Sequence, residues 1–90
     1  MNQAIHLRWE RQSDKRYYLA LLYRDLLGDL VLTKVWGSIG RPTGQQQNVH
    51  VKSKAEGLSL IDQVIKTRVK CGYELVSGLA DIQMFANGAR

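Results

Sequence analysis

The ninety-residue sequence predicts an α+β domain, an antiparallel sheet of four or more strands with one long helix packed across one face. Three observations carry this. Apolar and polar residues alternate with a period of two in separate runs near Ile5, Leu30 and Gln45. A single stretch, Ser53 to Gly72, has helical spacing and stop signals at both ends. Short polar or glycine-containing segments separate these runs, and no internal repeat or low-complexity tract interrupts them.

Ile5, Leu7 and Trp9 alternate with His6, Arg8 and Glu10, which reads as a half-buried strand. Gln12 to Lys15 is turn chemistry. Tyr17 to Tyr23 is apolar on both parities, as in a central strand covered on both sides; a short helix gives a similar pattern. The leading tyrosines and the closing turn Leu27-Gly28-Asp29 favour a strand. Leu30 to Trp36 completes a hairpin, with Val31, Thr33 and Val35 on one parity and Leu32, Lys34 and Trp36 on the other. Gly37 to Gly44 is an irregular, glycine-rich loop, and alternation resumes from Gln45 to Ser53.

Ser53 and Glu56 form a capping box, with the serine hydroxyl accepting from the Glu56 amide and the glutamate reaching back to the Ser53 amide. Leu58, Ile61, Val64, Ile65 and Val69 recur at helical spacing. Lys66, Arg68 and Lys70 complement the negative end of the helix dipole, and Gly72 stands where a left-handed terminator belongs. Tyr73 to Leu75 returns to the sheet. The domain is thus expected over residues 1–77. A tail, 78–90, carries Leu79, Ile82, Met84 and Phe85, which suit docking on the domain, a short helix or a partner.

Hydrophobic residues make up 44% and charged residues 23%, values that argue against disorder. Thirteen Lys and Arg against eight Asp and Glu leave a net charge of +5, which suits either solubility or association with a polyanion. Cys71 is the lone cysteine, excluding an internal disulfide and fitting a reducing compartment. No stretch is apolar enough for a membrane span or a signal peptide, so the expected location is cytoplasmic.

Alternation also predicts an outer sheet face. His6, Arg8, Lys34, Trp36, His50 and Lys52 are expected to share it, with Arg24 closing the second strand and Arg41 rising from the loop. Cations neutralise phosphates, and a flat aromatic stacks on a base or sugar. The alternative for the cations is ordinary solvation, and for Trp36 ordinary packing.

Trp36-Gly37-Ser38-Ile39-Gly40-Arg41, then Gly44-Gln45, with Lys70-Cys71-Gly72-Tyr73 after the amphipathic helix, resembles the WGR domain. That family's pattern is Trp-Gly-Arg-Ile-Gly, a further glycine and polar strand, a helix, then Lys-x-Gly-Tyr. The likeness covers roughly residues 5–76. It implies kinship with modules of nuclear poly(ADP-ribose) polymerases that respond to DNA breaks, of bacterial molybdate-regulator-like proteins, and of short stand-alone bacterial proteins. In the polymerases the motif tryptophan stacks on a terminal sugar and the motif arginine contacts DNA and neighbouring domains. Trp36 stands at the tryptophan position, but Ser38 occupies the arginine position and carries no charge. Arg41, in the same loop, is the candidate replacement. Gly37, Gly40 and Gly72 are expected to permit positive φ, and Tyr73 to pack.

Catalytic chemistry is not legible. Cys71 sits at the helix end, where the dipole disfavours a thiolate. His6 and His50 occupy polar slots of separate strands, and two histidines with one cysteine lack metal-ligand spacing. Glu10, Asp14, Asp25, Asp29, Glu56 and Asp62 sit mostly at turns or the helix start. The glycine loop lacks the Gly-Lys-Ser/Thr of a phosphate-binding loop. The expectation is a non-enzymatic module without cofactor, metal or small-molecule substrate. Its partner is nucleic acid, most simply DNA, held by Trp36, Lys34, Arg41, Arg8, Arg24, His50, Lys52 and Ser38. The alternative is a protein partner or a second copy, gripped by the glycine loop and the apolar tail.

Overall fold

The structure is a computed structural model and describes residues 4–78. The expectations for the tail from Leu79 onward, and for the domain boundary before it, lie outside the described residues. Strands β1 (Ile5–Arg11), β2 (Arg16–Arg24), β3 (Leu30–Ser38) and β4 (Gly44–Val51) precede helix α1 (Lys54–Lys70), and a fifth strand, β5 (Glu74–Ser77), follows it. All neighbours pair antiparallel in the order β4-β3-β2-β1-β5. The chain that leaves α1 therefore adds an edge strand beside β1. No described helix is long and apolar enough to cross a membrane.

Both ends of α1 follow from local chemistry. The Ser53 hydroxyl accepts from the Glu56 amide at 3.1 Å. The Glu56 carboxylate accepts from the Lys52 amide at 2.8 Å, one residue earlier than the capping box predicts. At the C-terminus the Gly72 amide donates to the Val69 carbonyl and the Tyr73 amide to the Arg68 carbonyl, with Gly72 at φ +84°. That double bond pattern is a Schellman motif, which only a residue tolerant of positive φ completes without strain. Of the apolar stripe, Ile61 and Val64 are buried, whereas Val69 is exposed.

Register sorts the side chains into faces, because directly paired residues point the same way. Toward α1 lie four rows: Leu30 with Val51; Ile5, Leu22, Leu32 and Val49; Leu7, Ala20, Lys34 and Gln47; and Trp9, Tyr18, Trp36 and Gln45. Arg11, Arg16 and Ser38 end the series. On the opposite face stand His6, Arg8 and Glu10 of β1, Tyr17, Leu19, Leu21 and Tyr23 of β2, Val31, Thr33 and Val35 of β3, and His50 of β4. Trp36 and Lys34 therefore do not share a face with His6, Arg8 and His50, contrary to the sequence expectation. The reason is that β3 is apolar on both parities. Alternation separates its two sets but does not say which one meets the helix.

α1 crosses the sheet obliquely. A Cβ on Gly57 would meet Leu22 at 3.0 Å and Val51 at 3.4 Å, so the first turns lie close on the β2 and β4 side chains. Near its other end Arg68 lies over Tyr18, and the chain then runs to the β1 edge. Lys34, Trp36, Gln45 and Gln47 form the corner of that face toward β4, with Lys34 bordering α1 at Thr67 and Arg68.

Candidate nucleic-acid interface

Four aromatic rings occupy the end of the helix-side face. Tyr18 stacks on Trp36 with ring centroids 6.0 Å apart and planes 13° from parallel. Trp9 and Tyr73 meet Tyr18 edge-on, at 6.0 and 6.4 Å. Trp9 and Tyr73 are buried, so the cluster is anchored in the core, while Trp36 is only half-buried at its margin. Burial pushes the Tyr18 hydroxyl pKa up, opposed by the positive charge of Arg68.

The indole of Trp36 is shared by two cavities. One, of about 270 Å³, is lined by Tyr18, Lys34, Trp36, Gln47, Arg68 and Tyr73. The other, of about 430 Å³, is lined by Arg16, Trp36, Gly37, Ser38, Arg41, Thr43, Gly44 and Gln45. Each cavity carries two cations, and no carboxylate lines either one. Ser38 pairs across the sheet with Arg16, and the Arg41 amide donates to the Ser38 carbonyl at 3.1 Å. Arg16 and Arg41 thus line one cavity with the serine that stands where an arginine was expected from the motif.

The loop is shaped by a tyrosine on the other face. A Cβ on Gly44 would lie 2.6 Å from the Tyr17 hydroxyl and 2.7 Å from the Trp36 carbonyl, and one on its pair Gly37 would lie 3.1 Å from the same hydroxyl. Gly37 is thus a matter of space under the Tyr17 ring; unlike Gly40, at φ +85°, it does not need positive φ.

Trp36, Lys34, Ser38 and Arg41 are brought together, and the other predicted contacts are not. Arg8 lies on the opposite face, paired to Glu10 at 2.8 Å and over the Tyr17 ring. Arg24 donates to the Gly28 carbonyl at the hairpin tip. It pairs with Leu30, six residues before Trp36, or about 20 Å along a strand. Lys52 follows Val51 at that same end, and His50 is there on the opposite face. Two cations of the Trp36 surface, Arg16 and Arg68, are not singled out by the sequence. The available signal for Arg68 is its place four residues after Val64 and seven after Ile61, a cation on the buried stripe.

Among the described residues no group of three or more His, Cys, Asp and Glu is close enough to hold a metal. Cys71 is exposed. His6 and His50 stand on β1 and β4, with two strands between them.

No curated protein and no solved structure matches the chain. A family model does: the WGR domain model matches residues 1–78 of the ninety. WGR domains are associated with nucleic-acid binding and are binding-type modules, not themselves catalytic. With the match extending from the N-terminus through all five strands and the helix, the chain belongs to the WGR domain family.

Proposed function

We propose that this domain binds nucleic acid, most simply DNA, through the surface centred on Trp36, without catalysis. One observation carries the reading: a half-buried indole stands between two cavities that together hold Arg16, Lys34, Arg41 and Arg68 and no carboxylate. Phosphates neutralised by these cations release counterions, which provides affinity with little sequence preference. The indole offers a π-face to a sugar or base. Arg16 and Arg41, in one cavity with Ser38, supply the positive charge that the motif arginine would carry.

Fluorescence anisotropy with labelled DNA, followed across a salt series, tests this. Wild-type protein is expected to bind at low salt and to lose affinity steeply as salt rises. Trp36→Ala is expected to weaken binding by about 1–3 kcal/mol, the usual worth of one stacking contact. Absence of binding to duplex, nicked and single-stranded DNA at low salt refutes the proposal.

A second reading, a protein-interaction module, is favoured by one feature. Leu26 and Leu27 are 105% and 86% exposed on a turn held by Asp25, whose carboxylate accepts from the Leu27 and Asp29 amides. Light scattering that finds a dimer, lost in a Leu26→Ser/Leu27→Ser variant, would favour that reading.

A further inference from the structure

Two arginines place their guanidinium carbons over aromatic rings at this end of the sheet, and their remaining bonds differ. Arg11 has its Cζ 4.6 Å from the Tyr73 ring centre. Its Nε and Nη2 both donate to Asp14, at 2.9 Å each, and its Nη1 donates to the Cys71 carbonyl at 2.7 Å. Each of its three nitrogens therefore has an acceptor. Arg68 has its Cζ 4.1 Å from the Tyr18 ring centre and 5.1 Å from that of Tyr73. Its Nε is shielded from solvent and has no hydrogen-bond partner, and none of the described ion pairs involves it. A guanidinium N–H shielded from water without an acceptor costs free energy, which an acceptor on a ligand would remove.

The surroundings indicate the missing acceptor. Arg68 lines the same cavity as Lys34, with Gln47 as a neutral donor and acceptor and the Trp36 indole alongside. The cavity continues along α1 past Leu60, Gln63 and Thr67, still without a carboxylate. A planar fork and a point charge can both be met by one tetrahedral phosphate, whose non-bridging oxygens serve the two together. The helix end stands on one side of Trp36 and the Gly37–Gly44 loop on the other. A strand crossing the indole would pass between that helix end and the loop, with cations on both sides of it.

We propose that Arg68 and Lys34 form a phosphodiester-binding cleft between α1 and β3, and that its ligand is an unpaired nucleic-acid strand crossing Trp36 from one cavity to the other. The inference rests on the nucleic-acid reading above and adds to it the class of ligand and a residue from the helix. Arg68 is held by two rings before any ligand arrives, so little side-chain freedom is lost on binding.

The test uses the full chain, with oligothymidylate, oligouridylate and a blunt DNA duplex of equal length as probes in salt-dependent anisotropy. Arg68→Gln and Lys34→Gln, from opposite walls of the cleft, are each expected to reduce the log–log salt slope for the single strands by about 0.7. The slope for the duplex is expected to fall by less than that for the single strands, and Lys66→Gln, removing an equal charge from the exposed Asp62 pair, is expected to leave every probe unaffected. Comparing the two single-stranded probes reports whether the strand is DNA or RNA. Arg68→Gln also removes ring contacts, so Lys34→Gln keeps the proposal testable should the first variant unfold. Unchanged slopes in both variants, while Trp36→Ala still loses binding, overturn the cleft and leave the general reading standing. Equal losses on duplex and single strands overturn the unpaired ligand. No binding of any probe by wild type removes both readings.

Discussion

Beneath the first turns of α1 the sheet presents Leu22, Leu32 and Val51, all aliphatic and buried, whereas beneath the last turns it presents Tyr18 with Trp36 and Tyr73 beside it. The helix meets the first region through Gly57 and Ile61, close enough that even a methyl at Gly57 would be crowded. It meets the second through a charged side chain, Arg68, laid on a ring. Aliphatic packing is non-directional and closes on itself, but rings keep a polar edge and a face that a cation or a ligand can use. One end of a single helix thus holds the fold, and the other end builds a surface.

This division is open to attack by substitution. The largest expected effect is on stability: Leu22→Ala removes a fully buried side chain and is expected to cost about 2–5 kcal/mol in urea denaturation. Measured where the protein remains folded, its salt slope for DNA is expected to match wild type; a changed slope would mean that the two regions are not separate. Next comes the boundary of the binding surface. Arg41→Gln is expected to reduce the slope for duplex DNA by about 0.9, one phosphate contact, while Arg24→Gln at the hairpin tip leaves it unchanged. The smallest effect concerns Arg11. Its hydrogen bonds hold the Asp14 carboxyl below the usual carboxylate range. The folded state therefore gains stability from this pair above that range and loses it as pH falls through the lowered value. Both groups are largely solvated, so Asp14→Asn is expected to reduce stability only slightly at neutral pH, and the difference from wild type is expected to vanish in strong acid.

The strands, the helix and both its caps were legible because each has a local cause. Period-two alternation sets β1 and β4, Ser53 and Glu56 start α1, and Gly72 stops it. The sidedness of β3 was not legible. Leu30 and Leu32 on one parity and Val31, Thr33 and Val35 on the other are all buried or half-buried, so a long-range choice made by the helix decides where Lys34 and Trp36 point. Arg68 escaped notice for the opposite reason. Its position at the helix C-terminus has a sufficient local explanation in the dipole, which concealed its place on the inward stripe. The WGR motif pointed to the Trp36 end of the sheet, and neither Arg16 nor Arg68 belongs to that motif.

The Schellman stop has a geometric consequence for the cleft. The Tyr73 amide is bonded to the Arg68 carbonyl, so the terminator, the guanidinium and the ring beneath it form one rigid clasp. Its angular phase is set by counting back to Ile61 and Val64, which the core holds in place. Deleting a single residue between Val64 and Arg68 would turn that clasp by about 100° about the helix axis. A deletion of Thr67 would leave the number of charges untouched and yet swing the guanidinium away from Tyr18. Spacing along the helix, more than the sum of its cations, decides whether positive charge faces the indole.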